Sequence, residues 1–386
     1  MKYLIIGALL AGLLACEPND FATPTVSCTE TTPLNAKYSK AQQVQKLLDG
    51  FTAEGLPGVA VAVYTPKEGY WAGASGFARL EDKTAMQICH LQYSQSVAKT
   101  YMAVGILKLV EAGKIELDKP ITAYLPATLS DNISDAETIT VRNLLNHTSG
   151  IPSYSLDTDY ITVFLQNPLR SYTGKEYLSF IRKASLLFKP GSYFDYSDTN
   201  YLLLALIANQ VHGDHAKLIQ ESVIAPLNLQ QTFYHNFQNQ PNLVNSYFDR
   251  FGDGKLENVS QMQQVNVNSL TGDDGLVASP FDYVKFLQGL FAGKLLSDKS
   301  MKMMTTWVND KKGEPSYGMG LYHSYFSGQL AYGHGGAGLG AGCGLYYFPE
   351  KQLYVFVGTN MGTLTDGPYV RKAGEMKDQL LDLLLN

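Results

Sequence analysis

Apolar positions change their period several times along the chain, and each change marks an element. Val44, Leu47, Leu48 and Phe51 recur at helical spacing after Ser39-Lys40-Ala41-Gln42, an order that reads as a capping box. Gly58 to Tyr64 is mostly small and β-branched, Pro66 to Gly69 makes a turn, and Tyr70 to Gly76 reads as the hairpin partner. Helical spacing returns from Ser96 to Glu111, with Gly113 where a C-cap belongs. Tyr201 to Val211 is apolar nearly all round, as a fully buried helix would be, and Gly213 follows it. Strands are predicted again at Gly342 to Phe348 and Leu353 to Gly358, and Val370, Ala373, Leu380, Leu381 and Leu384 outline a terminal amphipathic helix. The pattern predicts an α/β (α+β) body with strands and helices at both ends and a mostly helical insertion between them. A single sheet then requires the two ends of the chain to pair.

Composition narrows the class. The 386 residues are 45% hydrophobic and 17% charged, a globular composition with room for a sizeable core. Lys plus Arg (30) nearly balance Asp plus Glu (35), and no long basic run argues for nucleic acid as a partner. At the N-terminus Lys2 precedes an apolar run, Leu4 to Ala15, too short to span a bilayer and ending in Leu13-Leu14-Ala15-Cys16. This resembles the bacterial lipoprotein signal, which implies removal of residues 1–15 and lipidation of Cys16. Membrane attachment would then run through several acyl chains on that residue. Glu17 after the cysteine implies the outer membrane of the cell envelope. Residues 16–38, rich in Pro, Thr, Asn and Ser, read as a flexible tether. Cys28, Cys89 and Cys343 remain, allowing one disulfide of unassigned pairing and one free thiol.

The candidate chemistry begins at Ser96-Val97-Ala98-Lys99. Residues three apart share a helix face, so a hydroxyl and an amine stand side by side, the minimum for a serine nucleophile without a Ser-His-Asp triad. Burial would lower the amine's pKa and let it act as a base; left charged, it stabilises a neighbouring anion. Tyr196-Ser197-Asp198 lies in a loop opened by Pro190-Gly191 and entering the buried helix, where side chains are well presented and Asp198 could cap. Gly333-His334-Gly335-Gly336-Ala337-Gly338 is dense in glycine ahead of a strand, which suits a bulge or close approach of backbone to a ligand. His212 and His215 flank Gly213-Asp214 and read as a polar turn, not as metal ligands. No Gly-x-Ser-x-Gly occurs, which disfavours an α/β-hydrolase.

Taken in order, these segments resemble the serine β-lactamase and penicillin-binding-protein superfamily, especially class C β-lactamases, D-alanyl-D-alanine carboxypeptidases and related esterases. Asn143-Leu144-Leu145-Asn146-His147-Thr148-Ser149-Gly150-Ile151-Pro152, Pro226-Leu227-Asn228-Leu229 and Gly275-Leu276-Val277-Ala278-Ser279 extend the resemblance from about residue 40 to the C-terminus. It implies a central antiparallel sheet flanked by helices (residues 39–95 and 262–386) and a helical subdomain (96–261). It also implies Ser96 as the acylated nucleophile, Lys99 as its partner and Tyr196 as general base or proton relay. The backbone N–H groups of Ser96 and Ala337 would form the oxyanion hole. Asp198, His334, Gly335 and Gly336 would meet substrate, with His334 at the cationic position facing a carboxylate. Two departures stand out. The second motif ends in Asp198 where the family usually has Asn, and the third reads His-Gly-Gly in place of Lys-Thr-Gly or His-Thr-Gly. An ionised Asp cannot donate to a substrate amide. Acyl transfer on a small-molecule, peptide or ester substrate is therefore expected, with weak β-lactam hydrolysis and no metal or cofactor. A fold that only binds peptidoglycan fragments is the alternative.

Overall fold

The computed structural model describes Pro24 and residues 33–386. Its main sheet has nine strands in the order Thr84–Ala85, Gly69–Arg79, Gly58–Thr65, Leu353–Thr359, Gly342–Phe348, Gln329–Ala337, Tyr322–Phe326, Pro315–Tyr317 and Val308–Asn309. All neighbours are antiparallel. The two chain ends pair as required, Val59 opposite Thr359 and Val63 opposite Val355. Side chains along Gly58–Thr65 alternate between faces, as strand geometry dictates. Val59, Val61 and Val63 pack with Val44, Leu48, Leu380 and Leu384 of the first and last helices, while Ala62 joins Tyr283 and Phe356 on the other face. Each fully buried Val, Leu or Phe side chain contributes roughly 1.5–3 kcal/mol, so the pairing of the ends is secured from both sides.

The helices Ala98–Glu111 and Asp198–His212 form the centre of the insertion. Tyr201 to Ala205 are all buried, matching the all-round apolar run. The insertion is not purely helical: Thr232–Tyr234 pairs with Leu276–Ala278, which also pairs with Gln92–Tyr93, binding the two parts together just ahead of Ser96.

Three local expectations change. Ser39 does not cap the first helix, which runs Ala41–Ala53 behind Lys40; its N–H and hydroxyl instead bond Glu68 at 2.8 and 3.0 Å, an alternative partner across the hairpin turn. The glycine-rich segment lies ahead of the strand Gly342–Phe348 as expected, but Gly333 to Ala337 are themselves the second half of the strand Gln329–Ala337. The chain is fixed before residue 38, because Leu34 bridges Tyr70 and the Asn35 N–H bonds Tyr70 O at 2.8 Å. The signal segment, Cys16 and Cys28 lie outside the described residues. Cys89 is disulfide-bonded and Cys343 is free.

Candidate active site

Ser96 sits in a tight turn, Gln95–Val97, that opens into the helix Ala98–Glu111. Gln95 takes a left-handed backbone, φ +45°, an unfavourable state for a residue with a side chain. The turn is held from three sides. Ser94 N–H bonds Leu276 O at 3.0 Å, Ser94 Oγ bonds Asp274 Oδ1 at 3.1 Å, and the Cys343 thiol bonds Ser94 O at 3.0 Å. Ser96 itself remains partly exposed at the floor of a cavity of about 970 Å³.

One helical turn on, Lys99 is 1% exposed and its ammonium has three oxygen neighbours. Ser96 Oγ lies at 3.1 Å, Asp273 O at 2.9 Å and Asp198 Oδ1 at 2.8 Å. Burial works against the charge, but Asp198, Asp273 and Asp274 outweigh it and hold the Lys99 pKa above its ordinary value. Lys99 is a cation. Asp198, despite its own burial, is held ionised chiefly by Lys99, with a hydrogen bond from Ser155 Oγ at 2.6 Å. It is the first residue of the helix Asp198–His212, and its N–H bonds Ser153 Oγ at 2.9 Å. Asp198 is thus a counter-ion, not a cap.

Tyr196 places its ring centroid 5.1 Å from Lys99 Nζ. Its hydroxyl is shielded from solvent and, among the described residues, meets the Ser96 hydroxyl in a contact too loose for a full hydrogen bond. Burial, followed by the Asp198 charge, pushes the phenol well above its ordinary pKa, against a smaller opposing effect of the Ser96 hydroxyl. Lys99 does not make it a phenolate: burial first, and then the Asp198 charge, keep the proton on the ring oxygen. Of the two roles expected for Tyr196, relay fits a neutral phenol and resting base does not.

His334 is 2% exposed and lines the cavity. Its Nδ1–H donates to Gly335 O at 2.6 Å, a carbonyl that can only accept, so Nε2 is the acceptor for the Tyr317 hydroxyl at 2.9 Å. Burial and the nearby Lys99 lower its pKa to about 3. The cationic role expected of His334 therefore does not fit its environment: the ring is neutral and both nitrogens are occupied. Lys99 carries the positive charge beside Ser96.

The glycines separate into two kinds. A Cβ at Gly335 would meet nothing closer than 3.4 Å, so space does not explain the missing hydroxyl. A Cβ at Gly336 would come within 2.7 Å of Ser94 O and Gln95 Cβ, and one at Gly338 within 2.1 Å of Gln95 Oε1. Those two glycines make room for the turn that carries Ser96. The strand Tyr322–Phe326 stops opposite Gly333, while His334 to Ala337 stay paired to Leu345 through Gly342. Their other edge, with Ala337 exposed, lines the cavity.

Three residues here carried no role in the sequence reading. Gln95 lines the cavity with its amide nitrogen unpartnered. His147, within the Asn143 to Pro152 segment, stacks 4.4 Å from the Tyr196 ring and its Nδ1 accepts from Ser197 N–H at 3.2 Å. Asp273 supplies the carbonyl for Lys99 and a buried carboxyl of its own. Only His147 lay in a quoted motif. His212 and His215 are remote, engaged with Glu221 at 3.2 Å and Asn209 at 2.9 Å.

Residues 44–374 match the Beta-lactamase family model. The putative penicillin-binding protein PbpX of Bacillus subtilis (strain 168) is 28% identical over 284 residues, 72% of this chain and 65% of that protein. This chain thus spans just under two thirds of that relative. The putative D-alanyl-D-alanine carboxypeptidase of Escherichia coli O157:H7 is 24% identical over 348 residues, 81% of this chain and 79% of the relative. Among solved structures, the D-stereospecific amidohydrolase from Streptomyces sp. superposes with a TM-score of 0.74 at 26% identity, covering 86% of this chain and 97% of that one.

Proposed function

The chain belongs to the beta-lactamase family, and from that premise we propose an envelope-anchored serine hydrolase that forms an ester on Ser96. Its substrates would be D-amino-acid amides or peptides, or small esters. The observation that carries this reading is the hydrogen-bonded chain of Ser96, Lys99 and Asp198, with the buried Tyr196 hydroxyl beside Ser96.

A neutral phenol and a fixed ammonium suit a concerted relay. Ser96 Oγ bonds to the substrate carbonyl carbon as its proton moves to Tyr196 Oη. Tyr196 passes its own proton to the leaving nitrogen or oxygen, so no separate base is needed. The Lys99 ammonium, already donating to Ser96 Oγ, stabilises the negative charge that develops there. The carbonyl oxygen would be received by the N–H groups of Ser96 and Ala337. In the second half water gives its proton to Tyr196, and Tyr196 returns one to Ser96 Oγ as the ester bond breaks.

The two motif departures bear on substrate. With Asp198 committed to Lys99 and His334 neutral, the site offers fewer donors to the carboxylate of a β-lactam. A short-chain aryl ester, a D-Ala-D-Ala peptide and a chromogenic cephalosporin, compared side by side, test this. We expect ester hydrolysis lost in Ser96→Ala and little cephalosporin turnover; ester hydrolysis unchanged in Ser96→Ala would refute the proposal. The absence of a resting base favours one rival, a fold that binds peptidoglycan fragments without turning them over, and that result would support it.

Anchoring would be through lipid on Cys16. Cys89 is already disulfide-bonded and Cys343 is free, so lipidation of Cys16 leaves Cys28 as the partner of Cys89. Peptide mapping under non-reducing conditions would find Cys28 linked to Cys89; a Cys16 to Cys89 link would exclude the anchor.

A further inference from the structure

The cavity continues from Ser96 past Asp198 and Asp273 to a wall that includes Tyr154, Tyr160, Phe164 and Leu165. Three carboxyl groups, Asp198, Asp273 and Asp274, surround the Ser96 end against one cation, Lys99. Lys377, the other lysine lining the cavity, belongs to the C-terminal helix Pro368–Leu385. Lys99 spends its charge on Asp198 and meets Asp273 through the main-chain carbonyl. Asp274 Oδ1 accepts from Ser94 Oγ and from the Gly275 N–H at 2.8 Å.

Asp273 is different. It is 4% exposed, its Oδ2 accepts from the Tyr154 hydroxyl at 2.5 Å, and its Oδ1 is buried with no hydrogen bond from any other described residue. An unpaired buried acceptor is costly, so folding alone does not explain its presence. The surrounding tyrosines stay protonated through burial and bring no charge of their own. Their ring faces suit a cation. The pocket therefore has an acid with an open acceptor, aromatic walls and more carboxyl groups than ammonium groups.

Building on the Ser96 hydrolase reading, we infer that this lobe binds an ammonium group of the substrate against Asp273, so the preferred substrates are amides or esters of amino acids whose amine is free. A neutral amide N–H could meet Oδ1, but it would not balance the excess of carboxyl groups. The apolar side chain of such an amino acid would lie on Phe164 and Leu165. Asp273 acts here on binding, and because its charge also helps hold Lys99 protonated, the ratio between substrates reads the subsite and the absolute rate does not.

The test compares D-phenylalanine p-nitroanilide with its N-acetyl derivative near pH 7. The wild-type protein should prefer the free amine in kcat/KM by about tenfold or more, as expected for a charge-assisted hydrogen bond in a buried site. In Asp273→Asn the ratio between the two compounds should fall toward one, whatever the absolute rates. A wild-type protein that treats both alike, or a preference that survives in Asp273→Asn, overturns the inference. Should that variant fail to fold, the wild-type ratio decides. Thermal shifts with benzylammonium chloride and benzyl alcohol provide a readout independent of turnover: the amine alone should stabilise the wild type, and equal shifts would refute the subsite. Labelling of Ser96 by a fluorophosphonate with no free-amine preference sinks the subsite and leaves the hydrolase reading intact. Absence of both labelling and turnover sinks the hydrolase reading, and the benzylammonium shift then decides the subsite.

Discussion

Replacing Asp198 with Asn is the most revealing single change, because it restores the residue usual in the family's second motif while removing one charge. The pair it breaks is short (2.8 Å) and largely dehydrated, with Lys99 1% and Asp198 20% exposed. At an effective dielectric of about 20, Coulomb's law gives roughly 6 kcal/mol for charges that close. Part of this offsets the burial of Asp198 itself, which the substitution relieves. Breaking a buried pair by removing one partner costs about 3–5 kcal/mol, and that is the expected loss in a urea or thermal unfolding experiment. The loss should be smaller at high pH, where Lys99 deprotonates in the variant. Because Asp198 is the nearest charge holding the Lys99 pKa up, its removal moves the ionisation of Lys99 to lower pH. The pH profile of aryl-ester kcat/KM in Asp198→Asn should therefore show an alkaline inflection that the wild type lacks over the same range. Identical profiles, together with a stability change below about 1 kcal/mol, would show that Asp198 does not govern Lys99 and would refute the electrostatic reading of the site.

Tyr196→Phe deletes a hydroxyl that meets only loosely the Ser96 hydroxyl, so stability should move by no more than about 1 kcal/mol while kcat falls by about 10²–10⁴-fold, the usual worth of a positioned proton carrier; a variant of near-normal kcat would exclude the relay. Gly336→Ala drives a methyl against Ser94 O and Gln95 Cβ at 2.7 Å. It should cost about 1–3 kcal/mol by overpacking and depress ester hydrolysis strongly; full activity would mean the turn is not set by this contact. Burial raises Asp273 and Asp274 to about 7. A carboxyl raised in the folded state favours folding below its unfolded pKa and loses that contribution as pH climbs toward the folded value, here from near 4 to about 7. His215 and His334, lowered to about 4 and about 3 by burial, oppose this trend over the same window. The stability difference between wild type and Asp273→Asn isolates the carboxyl: it should shift against the wild type by at most about 4 kcal/mol from pH 4 to pH 7.5, and a flat difference would contradict the assignment.

What could be read from the chain and what could not divide along physical lines. Ser96 and Lys99 were legible because three residues of helix fix their common face, and the hairpin and terminal strands were legible from their period. The entry of Tyr196 and Asp198 into the buried helix was legible from Pro190-Gly191. The role of Asp198 was not, since cap and counter-ion differ only in where Lys99 lies. His334 looked cationic because nothing local announces the Tyr317 hydroxyl or the burial that keeps it neutral. Gln95 was invisible for the same reason: its left-handed backbone and its fit over Gly336 and Gly338 join segments far apart in sequence. Ser39 carried a capping pattern, yet Glu68 competed for its hydroxyl across a turn.

The central claim is that the Ser96 hydroxyl, and no other, becomes covalently acylated. Intact mass spectrometry after treatment with a fluorophosphonate, followed by peptide mapping, tests it directly on the folded protein. One adduct on the peptide holding Ser96, absent from Ser96→Ala and slowed in Tyr196→Phe, is the predicted result. An unmodified mass, or an adduct that persists in Ser96→Ala, would contradict it.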